Sequence, residues 1–179
     1  MIKRVAFFGY ADAKPKSKLY QEAWATAKLL AEHGYIIVNG GGPGVMDAST
    51  QGAIAGRGDT LAVTFDAKDA PGFEGRYSKN VVKREIKTKN YIERMFKLME
   101  NSDTFIIFQG GTGTLSEFAT AWVLARLYYG HHKPFVLYGE FWKEIIKVLA
   151  KYMLMRGTEK TVFKVVDTPL AALEAIKQW

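Results

Sequence analysis

The 179-residue sequence predicts an α/β fold: a doubly wound, mainly parallel sheet with helices on both faces. Three observations predict it. Short apolar runs alternate with helical patterns along the whole chain, the pattern of strands joined by crossover helices. The runs are near-continuously apolar rather than alternating, as in strands covered on both faces. Two glycine-rich segments each stand between an apolar run and a helical pattern, where parallel sheets make strand-to-helix turns. The composition, 48% hydrophobic and 24% charged, is that of an ordinary globular chain.

Taken in order, Val5–Gly9 reads as a buried strand, and Lys18–Glu32 as a helix with Tyr20, Trp24, Ala27, Leu30 and Ala31 near one stripe. Tyr35–Val38 is a strand, Gly44–Ala55 a helix and Thr60–Phe65 a third strand. Lys68–Thr88, with Pro71, Gly72 and Gly75, reads as a mobile loop beside a ligand site; a short extra strand through Asn80–Ile86 is the alternative. A helix over Asn90–Met99 follows, then a strand at Asp103–Phe108 and a helix at Thr114–Tyr128. Pro134–Leu137 and Val162–Val166 are strands; Phe141–Met153 and Pro169–Gln178 are helices. There is no internal repeat, and the length is that of one domain, a single nucleotide-binding unit over residues 1–179.

Composition excludes several classes. With no cysteine, disulfides and thiolate chemistry are absent, and a cytoplasmic location is the expectation. No apolar run approaches the ~18 residues of a membrane span. The opening apolar stretch is too short for a signal peptide and reads as the first strand. Three histidines, with His131 and His132 adjacent after Gly130, offer no metal-ligand spacing and read as helix-end residues facing water. Met95, Met99, Met153 and Met155 read as packing residues, and Trp122, Tyr128 and Tyr129 as core or dimer contacts.

The net charge is +7, and residues 76–97 hold eight basic side chains (Arg76, Lys79, Lys83, Arg84, Lys87, Lys89, Arg94, Lys97) against Glu85 and Glu93. A solvated basic face and an attractor for an anionic ligand are both consistent with this. No nucleic-acid-binding motif accompanies the charge, so a nucleic-acid partner is not expected.

The two glycine segments are Gly40-Gly41-Gly42-Pro43-Gly44-Val45-Met46-Asp47 and Gln109-Gly110-Gly111-Thr112-Gly113-Thr114-Leu115-Ser116-Glu117. Glycine lets backbone approach an anion closely, and the following helix offers free N–H groups and a partial positive charge. Thr112 and Thr114 add hydroxyl donors. Gly9, Gly41, Gly42, Gly110, Gly111, Thr112, Gly113 and Thr114 are therefore the candidate phosphate- and nucleotide-binding residues; tight turns alone are the simpler reading of any one loop. Familiar nucleotide motifs are absent: there is no Gly-x4-Gly-Lys-Ser/Thr string, the first strand ends with one glycine in Gly9-Tyr10-Ala11-Asp12, and the second closes on Asn39 rather than an acidic residue. Hydride transfer with a dinucleotide is thereby disfavoured.

Gly110-Gly111-Thr112-Gly113-Thr114-Leu115-Ser116-Glu117 resembles the Pro-Gly-Gly-x-Gly-Thr-x-x-Glu signature of the "Lonely guy" (LOG) proteins, and Gly40–Ala48 resembles that family's other loop. Glu93-Arg94 lies where these proteins carry an arginine, and His132–Leu137 is similar to their next strand. The resemblance implies a Rossmann-like fold, a homodimer with the site near the interface, and hydrolysis of the N-glycosidic bond of a nucleoside 5′-monophosphate. It implies catalytic roles for Glu117 and Arg94, the phosphate loop at Gly111–Thr114, and no cofactor or metal. Gln109 stands in place of the family's proline, and Met95 in place of its common lysine. Relatives that carry molybdenum cofactor without catalysis offer an alternative, a non-catalytic binder or carrier.

The chemistry fits these residue types. Cleavage passes through an oxocarbenium-like transition state that a carboxylate stabilises, and Glu117 sits one turn into the helix whose start would hold the phosphate. Arg94 suits bidentate phosphate contact or an ion pair with Glu117. Asp47 reads as a dipole-complementing cap and secondarily as a ribose ligand; as alternatives, Glu117 only balances its helix dipole and Arg94 is one cation of a basic helix.

Overall fold

The computed structural model describes residues 2–66, 75–127, 133–155 and 161–179. Seven strands, β1 (Arg4–Phe8), β2 (Ile36–Asn39), β3 (Thr60–Phe65), β4 (Arg84–Thr88), β5 (Thr104–Ile107), β6 (Phe135–Tyr138) and β7 (Phe163–Val166), form one sheet in the order β4-β3-β2-β1-β5-β6-β7. Every pairing is parallel. The Rossmann-like α/β architecture expected from the sequence is the one observed.

The six helices are α1 (Lys18–Glu32), α2 (Val45–Ala55), α3 (Tyr91–Glu100), α4 (Thr112–Leu127), α5 (Phe141–Tyr152) and α6 (Pro169–Lys177). Strand alternation divides the core between the two faces. Val5 and Phe7 of β1 join Ile106 of β5 under α1, α2 and α6; Ala6 and Phe8 join Phe105 and Ile107 under α3, α4 and α5. On the first face α1 contributes Ala23, Ala27 and Leu30, all fully buried; on the second, Phe118 of α4 stacks near Trp122 and Trp142. Helix starts carry their caps: Ser17, Asn90 and Thr168 accept from the N–H groups of Tyr20, Glu93 and Ala171, with Pro169 in the first turn.

Most expected boundaries shift by a residue or two, for ordinary reasons. Asn90, expected inside α3, is its cap, and Asp103, expected in β5, accepts the N–H groups of Lys3 and Arg4 at 2.9 Å from just outside it. The expected 68–88 loop is corrected at its end: Arg84–Thr88 is a strand paired in register with Leu61–Phe65, so the extra-strand alternative holds with its span moved toward Thr88. Residues 67–74, with Pro71 and Gly72, lie outside the described residues, as do Tyr128, Tyr129, His131 and His132. Met99 is buried as expected, whereas Met153 is 59% exposed beyond the end of α5.

The basic stretch resolves into two parts. β4 is an edge strand with Arg84 and Lys87 exposed, a placement that discourages edge-to-edge pairing. Lys83 pairs with Asp59, Arg76 with Glu85 and Lys97 with Glu100 on the surface. Arg94 alone among the eight is buried, at 4% exposure. Among the described residues no helix is long and apolar enough to cross a membrane, and no group of three or more acidic or histidine side chains is arranged to hold a metal.

Candidate functional site

The chain runs from β1 outward through β2, β3 and β4, then returns to lay β5 on the other side of β1. The loops leaving β1 and β5 therefore diverge to opposite faces, and the crevice between them is where doubly wound sheets bind ligands. A cleft of about 480 Å³ lies there. Phe7, Phe8 and Gly9 line it from β1 and its exit, Gly111–Thr114, Ser116 and Glu117 from the start of α4, and Tyr91 and Arg94 from α3.

The helix α4 begins at Thr112, two residues earlier than the sequence suggested. The threonine-glycine pair is tolerated in a first turn because those N–H groups have no acceptor within the helix in any case. Leu115 N–H closes that turn on Gly111 C=O at 3.0 Å. The N–H groups of Thr112, Gly113 and Thr114 are thus the groups the helix itself cannot satisfy, and their residues line the cleft. Thr114 and Glu117, three residues apart, share one face and are 5% and 9% exposed.

Arg94 donates to two backbone carbonyls. Its Nε donates to Val63 C=O at 3.2 Å and its Nη2 to Gly40 C=O at 3.4 Å, with Met46 Sδ at 3.5 Å. The Tyr91 ring centroid is 5.9 Å from Cζ, within cation–π range. These carbonyls, from β3 and from the residue after β2, orient the guanidinium in the cleft wall. Gly40 is obligatory for this: a Cβ there would lie 2.6 Å from Arg94 Cζ.

Tyr91 ties α3 to the start of α4. Ser116 Oγ donates to Gly113 C=O at 2.8 Å, which leaves the Tyr91 hydroxyl to donate to Ser116 Oγ at 2.9 Å. Met95, at the position where the resemblance leads one to expect lysine, faces the same α3–α4 seam. Thr120 donates to its sulfur at 3.5 Å, and Met95 is not among the cleft residues.

The two glycine loops differ in kind. Of the first, Gly40 and Met46 line the cleft; Gly41 and Gly42, expected at the phosphate, are buried and not among its lining residues. Gly41 N–H donates to Asn39 Oδ1 at 2.8 Å, its C=O accepts from Tyr77 N–H at 3.0 Å and Arg76 at 3.2 Å, and Gly42 C=O accepts from Asn80 at 2.8 Å. A Cβ on Gly41 would stand 2.5 Å from Thr64 Cγ2. At the start of α2, Val45 N–H donates to Tyr10 C=O at 3.0 Å. Asp47 does more than balance a dipole, since it accepts from the Tyr20 hydroxyl at 2.7 Å and Gln51 at 3.2 Å. Burial, then the carboxylate beside it, pushes the Tyr20 phenol well above its usual pKa. This loop clamps the exit of β1.

Gly9 both lines the cleft and packs tightly, with Val45 methyls 2.9 Å from where its Cβ would be. Gly110 lies just outside the lining; a Cβ there would approach Thr114 Cβ at 2.7 Å and Tyr10 N at 3.0 Å. Its smallness lets Gln109 C=O accept from Tyr10 N–H at 3.0 Å, closing the floor between the two loops. The structure therefore brings Glu117, Arg94, Gly9 and Gly111–Thr114 together at one cleft, without Gly41, Gly42 or Gly110. It adds Tyr10, Asp12, Gly40, Tyr91 and Ser116. The sequence signal that could have found Tyr91 is its helical spacing, three residues before Arg94.

Comparison with known proteins places the chain. An uncharacterized protein of Archaeoglobus fulgidus is 33% identical over 102 residues, 57% of this chain and 63% of that protein, so the match spans less than two thirds of the relative's length. The X-ray structure of TM1055 superposes with a TM-score of 0.74 at 24% identity, covering 99% of this chain and all of that one. A molybdenum cofactor binding protein from the phototrophic bacterium Rippkaea orientalis gives 0.72 at 21% identity, covering 99% and 97%. These likenesses are of fold. Residues 3–157, which include both glycine loops, Arg94 and Glu117, match the model of the SLOG cluster4 family, and the chain belongs to that family.

Proposed function

We propose that the protein is a LOG-type phosphoribohydrolase, cleaving the N-glycosidic bond of a nucleoside 5′-monophosphate to free base and ribose 5-phosphate. The observation that carries this reading is the presence of buried Glu117 and buried Arg94 in the same cleft as the first turn of α4. The turn's N–H groups and the Thr112 and Thr114 hydroxyls hold the phosphate. Glu117 then faces the ribose, where its carboxylate stabilises positive charge growing at C1′. The C1′–N bond breaks with its electron pair going to the base, water adds to C1′, and its proton passes to Glu117. Glu117 gives that proton up as the base takes one on, leaving free base and the carboxylate restored. Arg94 offsets the phosphate charge beside that carboxylate. A site that only bound an anion would gain nothing from a buried carboxylate in its wall.

The test is incubation with AMP and a panel of other nucleoside 5′-monophosphates, with assay of ribose 5-phosphate. Saturable binding with no release from any member would overturn turnover. It would leave the second reading, a non-catalytic binder or molybdenum cofactor carrier, which the whole-chain likeness to the Rippkaea orientalis protein favours. Arg94→Ala is expected to weaken AMP binding by about tenfold or more, the scale of a lost charge-assisted hydrogen bond. An unchanged dissociation constant in calorimetry would remove Arg94 from the phosphate.

The same reading carries a homodimer. Helices α3 and α4 lie side by side and expose Ile92, Phe96, Leu115, Val123 and Leu127, each 47–56% accessible. Apolar residues grouped on adjacent helices suit a second copy. Val123→Glu is expected to shift the protein from dimer to monomer in sedimentation; a wild-type monomer, or a variant that stays dimeric, would place the interface elsewhere.

A further inference from the structure

The cleft has a second wall that the phosphate chemistry does not use. The exit of β1 contributes Tyr10, Ala11 and Asp12, heading toward the α1 face, while the α4 turn heads to the opposite face. The two loops are joined at the floor by the Tyr10 N–H to Gln109 C=O bond. Tyr10 is 46% exposed, an aromatic ring left open at the edge of a ligand cleft. Asp12 is exposed beside it and makes no ion pair among the described residues. The charge inventory is unusual for an anion site in a chain of net charge +7: the lining supplies one guanidinium, Arg94, against two carboxylates, Glu117 and Asp12. The reading of the α4 turn as the phosphate site accounts for Arg94 and Glu117 and leaves Asp12 without a task.

We propose that Tyr10 and Asp12 form the base-recognition subsite, and that the base they select presents a 2-amino-4-oxopyrimidine edge, as guanine does. The inference rests on the phosphate reading of the α4 turn. An ionised carboxylate only accepts hydrogen bonds. Guanine offers two adjacent donors on its Watson–Crick edge, the ring N1–H and the 2-amino group, which a carboxylate takes as a pair. Adenine sets a lone pair on N1 beside its single amino donor, and that lone pair repels a carboxylate. Hypoxanthine offers N1–H alone. The exposed Tyr10 face supplies a stacking platform that any planar base can use, so it adds affinity while Asp12 adds choice.

Calorimetric titration with GMP, IMP, AMP and ribose 5-phosphate tests this on the wild type and on Asp12→Asn, a substitution at an exposed position that leaves the fold unstrained. Wild type is expected to bind GMP about tenfold more tightly than AMP, with IMP between. Asp12→Asn is expected to lose that preference while ribose 5-phosphate affinity stays unchanged. A pterin presents the same edge, and dihydroneopterin monophosphate titrated beside GMP tells the two sources apart; preference for either over AMP, lost in Asp12→Asn, supports the subsite. Equal wild-type affinity for GMP and AMP, or a preference that survives Asp12→Asn, overturns the subsite and leaves the phosphate reading standing. Absence of binding by every ligand, ribose 5-phosphate included, overturns both.

Discussion

Glu117→Gln is expected to lower ribose 5-phosphate release by at least about a hundredfold while leaving AMP binding as tight as in the wild type or tighter. The direction follows from where the charge sits. Glu117 is 9% exposed in the wall of the cleft that holds the phosphate turn. In the ground state its carboxylate faces a substrate that is itself anionic, so removing the charge costs nothing in binding. In the transition state the ribose carries positive charge, and a preorganised anion in a site of low dielectric is worth roughly 3–4 kcal/mol, or about 100- to 1,000-fold in rate. Glutamine keeps the volume and one acceptor oxygen, so packing beside Phe118 is preserved and the loss is electrostatic. A fall in kcat without a rise in KM identifies an interaction made only at the transition state. Equal losses in AMP affinity and turnover would mean instead that Glu117 builds the site without acting in it. Undiminished release would move the chemistry to another group.

How much of this was legible in the sequence varies with the kind of information required. Strand alternation and short apolar runs specified the sheet, because each of Val5–Phe8 and Phe105–Phe108 must be apolar to sit between two helix layers. β4 was legible only as a weak alternative: Arg84, Glu85 and Lys87 are exposed, and an edge strand needs no apolar pattern to pair on one side. The cleft-lining turn was readable from Gly111–Thr114 because the helix follows immediately. The first glycine loop reads the same way from the sequence. Its sequence has the small residues and following helix of an anion site, yet Gly41 N–H donates to Asn39 and Val45 N–H to Tyr10, the second a partner fixed by tertiary contact. Tyr10 and Asp12 were invisible as site residues because their part depends on β5 inserting beside β1, a matter of strand order that local spacing does not encode.

Gly44→Ala is expected to destabilise the protein by about 2–4 kcal/mol, a fall of roughly 5–15 °C in melting temperature for a chain of this size. Two terms add. Gly44 has φ 65°, where an alanine Cβ costs about 1 kcal/mol. That Cβ would also run into the carbonyl oxygens of Tyr10 and Ala11 and lie 2.5 Å from Ala11 C, backbone atoms that cannot turn aside as a flexible side chain would. Relief requires moving the exit of β1, and with it the Val45 N–H to Tyr10 C=O bond and the Tyr10 wall of the cleft. The control is the same chemical change in the other loop. A Cβ on Gly111 meets nothing within 4 Å, so Gly111→Ala is expected to melt with the wild type while its cleft-lining position shows in phosphate binding. Stability lost at Gly44 and binding altered at Gly111 would separate a loop that clamps from a loop that holds the ligand. Matching melting curves for Gly44→Ala and wild type would show instead that the first loop yields readily, and its N–H groups would then return as candidates for the phosphate.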